Sequence, residues 1–492
     1  RSTLAVKTAT CMQSARKPIT HRLICDSAAL PSRDTLSIEP ATIDIAGSVI
    51  AAVYRNEATA PPLAPHIICE RLHSVLVTPS YVDAHTHLAL TCLRGLGRDS
   101  AADTNLVETF FYKIEQHMTP DDIRAFVRVG GLEAIMSGTG LVWDHYYFPE
   151  AIADGLRDIG LAGVVAPTVQ DRGGPGVAAL DANIDATIAL ATSSTSESDG
   201  VFSALGLHAT DTVSPELLQR CIPLTEKYNL PVHCHVAQSL DEVERVHRLD
   251  GCGPGTQLIR SGILDSAPHS LLVHGIFLTD DELEALGRRK VTLALCPHSK
   301  QIFAYLPDLK RWMTHDVQWV VGTDCAASND AWSVPRELRF IAGMRAMSAT
   351  WSVAHQNYLN KGGPALAKAA WKERGRLRNA LAPLGSDTYV LDKGWRVPGA
   401  MHPAFRAGEV SEGSLASLAV WDTTHPSFWP NENVLRTLVW GRTDGALKRI
   451  MINGSWSTSE DYVGQAIAQS DMWKEYSTEA SERLRLLIKR AS

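Results

Sequence analysis

Val75-Leu76-Val77-Thr78-Pro79-Ser80-Tyr81-Val82-Asp83-Ala84-His85-Thr86-His87 is an apolar run that ends in two histidines one residue apart. Side chains alternate faces along a strand, so His85 and His87 share a face. Two imidazoles on one face at a strand end make half of a metal site. A lone His-x-His is more often structural, so the reading depends on what the rest of the chain supplies. Short β-like runs recur after Val75-Leu76-Val77: Leu141-Val142-Trp143, Leu161 to Ala166, Phe202 to Leu207, Pro231 to Val236, Leu271-Leu272-Val273, Val291 to Leu295 and Trp319-Val320-Val321. Amphipathic stretches lie between them, at 120–136, at 215–228 behind the N-cap Ser214, and at 280–289 behind the N-cap Thr279. Buried strands alternating with helices mean parallel βα units, and eight of them predict an α/β fold, a (β/α)8 TIM barrel.

Active-site groups of such barrels sit at the C-terminal ends of the strands. Polar residues gather there in this chain. The first run leads to His85 and His87, the second to Asp144-His145, the fourth to His208, the fifth to His233-Cys234-His235, the sixth to His274-Gly275, the seventh to Cys296-Pro297-His298 and the eighth to Gly322-Thr323-Asp324. A random scatter of 18 histidines would not fall so regularly at strand exits.

Size and composition fit this architecture. The chain has 492 residues, 45% hydrophobic and 21% charged, enough for a large barrel and a smaller domain. A net charge of −7 argues against a nucleic-acid partner. No apolar run approaches the roughly 20 residues that span a bilayer, which argues against a membrane partner. The start, Arg1-Ser2-Thr3-Leu4, lacks the pattern of a secretion signal. Nine scattered cysteines with no Cys-x-x-Cys fit a reducing cytoplasm better than a disulfide framework.

The expected organisation is a β-sandwich half over 1–74, the barrel over 75–384, the other sandwich half over 385–457 and a C-terminal helix over 458–492. The β-like pieces of the first half are Leu23-Ile24-Cys25, Thr42 to Ile45 and Val49 to Val53. Those of the second are Leu415 to Trp421, Val434 to Trp440 and Arg449 to Asn453. The charged stretch Asp471 to Arg490 reads as an amphipathic packing helix.

A catalytic divalent metal takes three or four protein ligands and leaves a position for water. The expected set is His85, His87, His235 and Asp324. Asp324 can also accept a proton, and His274 is placed to polarise the substrate or shuttle that proton.

With these residues the chain resembles the amidohydrolase superfamily, in the branch of chlorotriazine hydrolases, guanine deaminase and S-adenosylhomocysteine/methylthioadenosine deaminases. The matching segments are Pro79 to His87, Gly138-Thr139-Gly140 leading into Asp144-His145, His235-Val236-Ala237-Gln238, Leu272-Val273-His274-Gly275, and Gly322 to Asp330. The resemblance implies one zinc or iron(II) ion on His85, His87, His235 and Asp324, with His274 assisting and His208 near a small-molecule substrate. It also implies a homodimer. Three positions depart from the pattern. The Glu expected three residues after the third metal histidine is Gln238, which can hydrogen-bond but cannot titrate. The expected Asn after Pro297-His298-Ser299 is Lys300, which could meet an anionic substrate group or sit on the rim. The segment after His208 reads Ala209-Thr210-Asp211 in place of the common Ser/Ala-Pro-Tyr.

Secondary expectations are that Trp332 stacks on a substrate ring, that Asn329 lines the mouth, that Arg94 reaches a substrate carboxylate, and that His117 and His145 support the metal ligands. Each has a plain structural alternative: packing, helix capping, a surface ion pair or a hydrogen-bonded core histidine. The leading reading is a metal-dependent hydrolase of a small nitrogen-containing, heterocyclic substrate, attacking a C–N bond as an aminohydrolase. The alternatives are hydrolysis of a cyclic amide or dechlorination, both favoured by Gln238, and an inactive metal-binding homologue acting as a binding protein.

Overall fold

The computed structural model describes residues 18–33, 35–96, 107–302, 305–350 and 352–492. Arg1 to Leu4 and Cys11 lie outside the described residues; the eight cysteines within them are all free thiols.

Eight parallel strands form the barrel: Tyr81–Thr86, Thr139–Tyr146, Ala162–Val169, Leu205–Ala209, Val232–Val236, Ser270–His274, Val291–Leu295 and Gln318–Val321. A short strand, Val201–Ser203, runs just ahead of the fourth and pairs with the third. The run Phe202 to Leu207 is thus interrupted at Ala204. The eight strands are buried almost throughout, so their sequences are continuous apolar runs rather than alternating ones. The three expected helices cover the outside, the third ending at Gly287, two residues short of its expected limit. Pro120–Met136 starts at a Thr119 capping box, Pro215–Tyr228 at Ser214, whose Oγ accepts from Leu217 N at 3.0 Å, and Asp280–Gly287 at a Thr279 capping box.

Two expectations are corrected. Val75-Leu76-Val77 belongs to the strand Val75–Pro79, which pairs with Leu418–Asp422 in the terminal sheet; the first barrel strand is Tyr81–Thr86. Both strands are fully buried, so they look alike in sequence, and the chain passes from one sheet to the other at Pro79-Ser80. Val434–Trp440 is a helix. The Asn433 side chain caps it by accepting from Arg436 N at 2.9 Å, and the apolar residues 434, 435, 438 and 439 repeat at helical spacing.

The terminal segments meet in one eight-stranded sheet. His21–Ser32 pairs with Thr35–Ala46 along its length and changes partner on its other edge, from Ile68–Leu72 to Val75–Pro79. From the C-terminal side come Leu418–Asp422, Leu447–Ile452 and Ser455–Trp456. The sheet has its own core, including Leu23, Ile43, Val77, Leu418 and Met451. The closing helix, Asp471–Ala491, lies against Pro120–Met136 through Arg128–Glu479 at 2.7 Å and Arg128 over the Tyr476 ring at 4.5 Å.

The barrel closes between its last and first strands without a regular ladder. Lys393 and Gly394 fill the lower part: Val321 N donates to Lys393 O at 3.2 Å and Val82 N to Gly394 O at 2.8 Å. At the upper end the strands touch directly, with Asp324 N donating to His85 O at 2.9 Å and His87 N to Asp324 O at 2.8 Å. Gly322 permits this approach. A Cβ there would stand 2.8 Å from both the backbone nitrogen and the Cβ of His85. Gly322→Ala is expected to cost about 1–3 kcal/mol of stability by overpacking and to lower metal content with it. Gly343→Ala, whose Cβ would meet nothing within 4 Å in the helix Val334–Thr350, is the control and is expected to be neutral or slightly stabilising. Thermal denaturation and metal analysis of the two variants check this.

Candidate active site

The upper seam of the barrel carries the site. His85 ends the first strand and is fully buried; His87 follows as the chain turns into the short helix Leu88–Leu93. Asp324 follows the eighth strand with φ +70°, and His274 ends the sixth with φ +78°. Ala237, after the fifth strand, has φ +47°. Left-handed backbone at non-glycine residues costs on the order of 1–3 kcal/mol each and persists only where the surroundings impose it. At Asp324 the surroundings are the two seam hydrogen bonds.

His85, His87 and His235 present ring nitrogens within 4.8 Å of one another, and so do His85, His274 and Asp324 with their nitrogens and carboxylate. Asp324 Oδ1 lies 3.6 Å from His85 Nε2 and 3.5 Å from His87 Nε2; Oδ2 lies 3.8 Å from His274 Nε2. His87 Nδ1 donates to the His145 carbonyl, and His235 Nδ1 donates to the His208 carbonyl at 2.5 Å. These bonds assign the Nδ1–H tautomer and leave each Nε2 as a lone pair. His85 Nδ1 meets His233 Nε2 at 2.9 Å, while His85 Nε2 and His235 Nε2 are 3.2 Å apart. With the hydrogen of His85 on Nδ1, towards His233, both Nε2 atoms present lone pairs at a separation that two ligands of one cation would have. The donor set therefore fits a divalent metal ion.

Charge states agree with the geometry. Burial holds His87 down to about 3; burial with neighbouring imidazoles holds His235, and burial with Lys300 holds His274, well below the usual histidine range, so these three rings are neutral. Burial opposes ionisation of Asp324, but the Lys300 ammonium at 3.5 Å leads the interactions that outweigh it and hold the carboxyl well below its usual range. Ser299 Oγ donates to Asp324 Oδ2 at 2.7 Å and fixes its orientation.

A cavity of about 430 Å³ opens above this cluster. His208, Gln238 and Lys300 line it together with His87, His235, His274 and Asp324, and Phe111, Tyr112, Tyr146, Tyr147 and Tyr305 add an aromatic wall. The structure does not bring the other expected substrate contacts to that wall. Asn329 is buried and donates to Thr323 O and Glu337 Oε1, each at 2.8 Å. Trp332 is buried too, with Nε1 donating to Thr91 Oγ1 at 2.9 Å. Arg94 pairs with Glu133. His117 is outside the cavity, and its carbonyl accepts from Arg490 Nε at 3.0 Å. His145 does line the cavity and supports His87 through its carbonyl.

Several supporting groups were not singled out in the sequence. Asp83 accepts from Thr323 N at 2.9 Å and Thr323 Oγ1 at 2.6 Å, tying the first strand to the last. His233 backs His85. Glu242 accepts from Ala237 N at 2.9 Å and Gln238 N at 2.7 Å, holding the turn that presents Gln238. The repeated His-x-His of His233 and His235 was a usable signal for the second of these; the others depend on which loops meet.

Residues 76–359 match the amidohydrolase family. The chain belongs to that family. It is an enzyme of the family's class, a metal-dependent hydrolase acting on carbon–nitrogen bonds other than peptide bonds. Over 386 residues it is 28% identical to the 5-methylthioadenosine/S-adenosylhomocysteine deaminase of Aquifex aeolicus, an alignment covering 76% of this chain and 80% of that protein. It is 28% identical over 336 residues to the 5'-deoxyadenosine deaminase of Methanothrix thermoacetophila, covering 66% and 76%. The zinc-bound adenosine deaminase of Xanthomonas campestris superposes with a TM-score of 0.77 at 20% identity, covering 96% of this chain and all of that one. The zinc complex of atrazine chlorohydrolase from Arthrobacter aurescens gives a TM-score of 0.74 at 17% identity, covering 94% and 100%. Both share the fold.

If the donor set holds a divalent ion, zinc at about 100 times its dissociation constant should stabilise the protein by about 2.7 kcal/mol. Asp324→Ala and His235→Ala should remove most of that gain. Chemical denaturation with and without zinc measures it.

Proposed function

We propose that this chain is a zinc-dependent aminohydrolase of a small heterocyclic amine, with iron(II) as the alternative metal. The single zinc ion is held by His85, His87, His235 and Asp324. The carrying observation is the 3.2 Å approach of His85 Nε2 and His235 Nε2 beside an ionised carboxylate, at the inner end of an aromatic-walled cavity. The deaminase names of the sequence relatives support the same reaction class.

The reaction exchanges an amino group for oxygen: a ring carbon bearing –NH2 takes up water and releases ammonia. The divalent ion supplies a nucleophile near neutral pH by lowering the pKa of water. Asp324, kept ionised, accepts the proton of the attacking water at its Oδ2 side. Asp324 then returns that proton to the leaving nitrogen, which departs as ammonia, while His274, whose Nε2 lies 3.8 Å from Asp324 Oδ2, hydrogen-bonds the oxygen added at the reacting carbon. Lys300 and Ser299 hold the Asp324 carboxylate in line, and Gln238 hydrogen-bonds the ring without titrating. His208 closes the cavity near the ring, with Nδ1 and Thr212 Oγ1 2.8 Å apart.

A second reading rests on Gln238 itself. Ring opening of a cyclic amide, or displacement of chloride, needs no titrating group at that position. We further place the enzyme in the cytoplasm as a homodimer. Eight unpaired cysteines suit a reducing compartment. No described helix is long and apolar enough to cross a membrane. The helices Val353–Lys361 and Pro364–Ala380 bury no residue and expose Val353, Leu359 and Trp371 at 76, 61 and 77%, a surface suited to a second copy.

Mass spectrometry of a panel of 5'-deoxyadenosine, 5'-methylthioadenosine, guanine, chlorotriazines and cyclic amides separates the readings. The expected result is loss of ammonia with gain of oxygen, reduced about 10²–10⁴-fold in Asp324→Asn. Water addition without loss of nitrogen would establish ring opening in its place. Gln238→Glu should raise ammonia release on the aminohydrolase reading and abolish turnover on the other.

A further inference from the structure

Two of the segments that follow barrel strands converge on one buried carboxylate behind the site. Glu337 lies in the first turn of the helix Val334–Thr350 and is fully buried. Its Oε2 accepts from the backbone nitrogen of His298 at 3.1 Å. Its Oε1 accepts from Asn329 Nδ2 at 2.8 Å and meets His298 Nδ1 at 3.0 Å. A carboxylate can only accept, so Nδ1 carries the hydrogen of His298. His298 belongs to the short helix Pro297–Ile302 after the seventh strand, and Asn329 ends the short helix Ala326–Asn329 after the eighth. Burying a carboxylate is costly unless hydrogen bonds compensate it, and an apolar side chain would fill the same space at lower cost. What the carboxylate adds is three directed bonds to two different segments.

Both segments grip Asp324. Directly after His298, Ser299 Oγ donates to Asp324 Oδ2 at 2.7 Å, and Lys300 Nζ stands 3.5 Å from the same oxygen. Ser299 Oγ also meets Ser328 Oγ at 2.7 Å, which joins the two short helices. On the other side, Asn329 Nδ2 reaches Glu337 and also donates to the carbonyl of Thr323 at 2.8 Å, one residue before Asp324. Two routes therefore run from Glu337 to Asp324. One ends on the carboxylate through Ser299 and Lys300, the other on the backbone through Asn329 and Thr323. Glu337 itself does not line the cavity, so any effect on the site passes through these neighbours.

We propose that Glu337 is a positioning residue for the metal-binding carboxylate. It fixes Pro297–Ile302 against Ala326–Asn329 so that Ser299 and Lys300 meet Asp324 Oδ2, and this leaves Oδ1 facing His85 Nε2 and His87 Nε2 at 3.6 and 3.5 Å. The role rests on the zinc reading of the donor set and goes beyond it, to a residue on a helix that contributes no ligand. Groups that orient a metal ligand from behind carry about 10–100-fold in metal affinity.

The test is a double-mutant cycle read by calorimetric titration of the metal-free full chain with zinc chloride. Glu337→Gln keeps the size of the side chain but sets an amide nitrogen against one of the three donors. Glu337→Gln and Ser299→Ala are each expected to weaken zinc binding about tenfold. Because Glu337 acts through Ser299, the double variant is expected to be weakened about tenfold as well, where independent effects would multiply to about a hundredfold. His298→Ala removes one of the three bonds at a side chain that reaches solvent. Its expected loss is about threefold alone and none on top of Ser299→Ala. Unchanged zinc affinity in Glu337→Gln and His298→Ala, or losses that multiply with that of Ser299→Ala, would make Glu337 a packing residue and overturn the proposal while the zinc site stands. Should Glu337→Gln not fold, His298→Ala decides by the same two results. A wild-type chain that takes up no zinc overturns the proposal together with the zinc reading.

Discussion

Everything at the site depends on how the eighth strand meets the first. The seam has no continuous ladder, only paired backbone hydrogen bonds at Asp324, His85 and His87 and the inserted Lys393-Gly394 below. Those bonds impose a left-handed backbone on Asp324 and aim its carboxylate at the Nε2 atoms of both histidines. Asp83 reinforces the seam from the first strand through Thr323. The same contacts therefore close the barrel and bring the candidate metal ligands together, and Gly322 is the point where a single methyl group would disturb both.

Burial then sets the chemistry. It keeps His87 and His235 neutral, so their Nε2 lone pairs are open to a cation, while backbone carbonyls of His145 and His208 fix which nitrogen carries the proton. Asp324 resists the same burial because Lys300 and the histidines surround it. Lys300 is thus tied to the metal end, and Arg245 to Asp211 and its acidic neighbours on the far wall.

The barrel and part of its helical layer were legible because most strands are short apolar runs that exit into a polar residue, and the helices Pro215–Tyr228 and Asp280–Gly287 start at hydroxyl caps. His274 and Asp324 could be read for this reason although they lie far apart in the chain. The boundary at Pro79-Ser80 could not, since strands buried in two different sheets share one pattern. Val434–Trp440 was misread although its spacing at 434, 435, 438 and 439 is helical. Asn329, Trp332 and Arg94 lie close in sequence to ligands, but Glu337, Thr91 and Glu133 from other elements hold them. The carbonyl partners of the ligand histidines carry no side-chain signature, so no composition or motif reveals them.

The most direct measurement is anomalous X-ray scattering at the zinc edge from a crystal of the zinc-loaded protein. The account predicts one peak per chain, about 2.0–2.2 Å from Nε2 of His85, His87 and His235 and from a carboxylate oxygen of Asp324. No peak there, or one held by other residues, would contradict it.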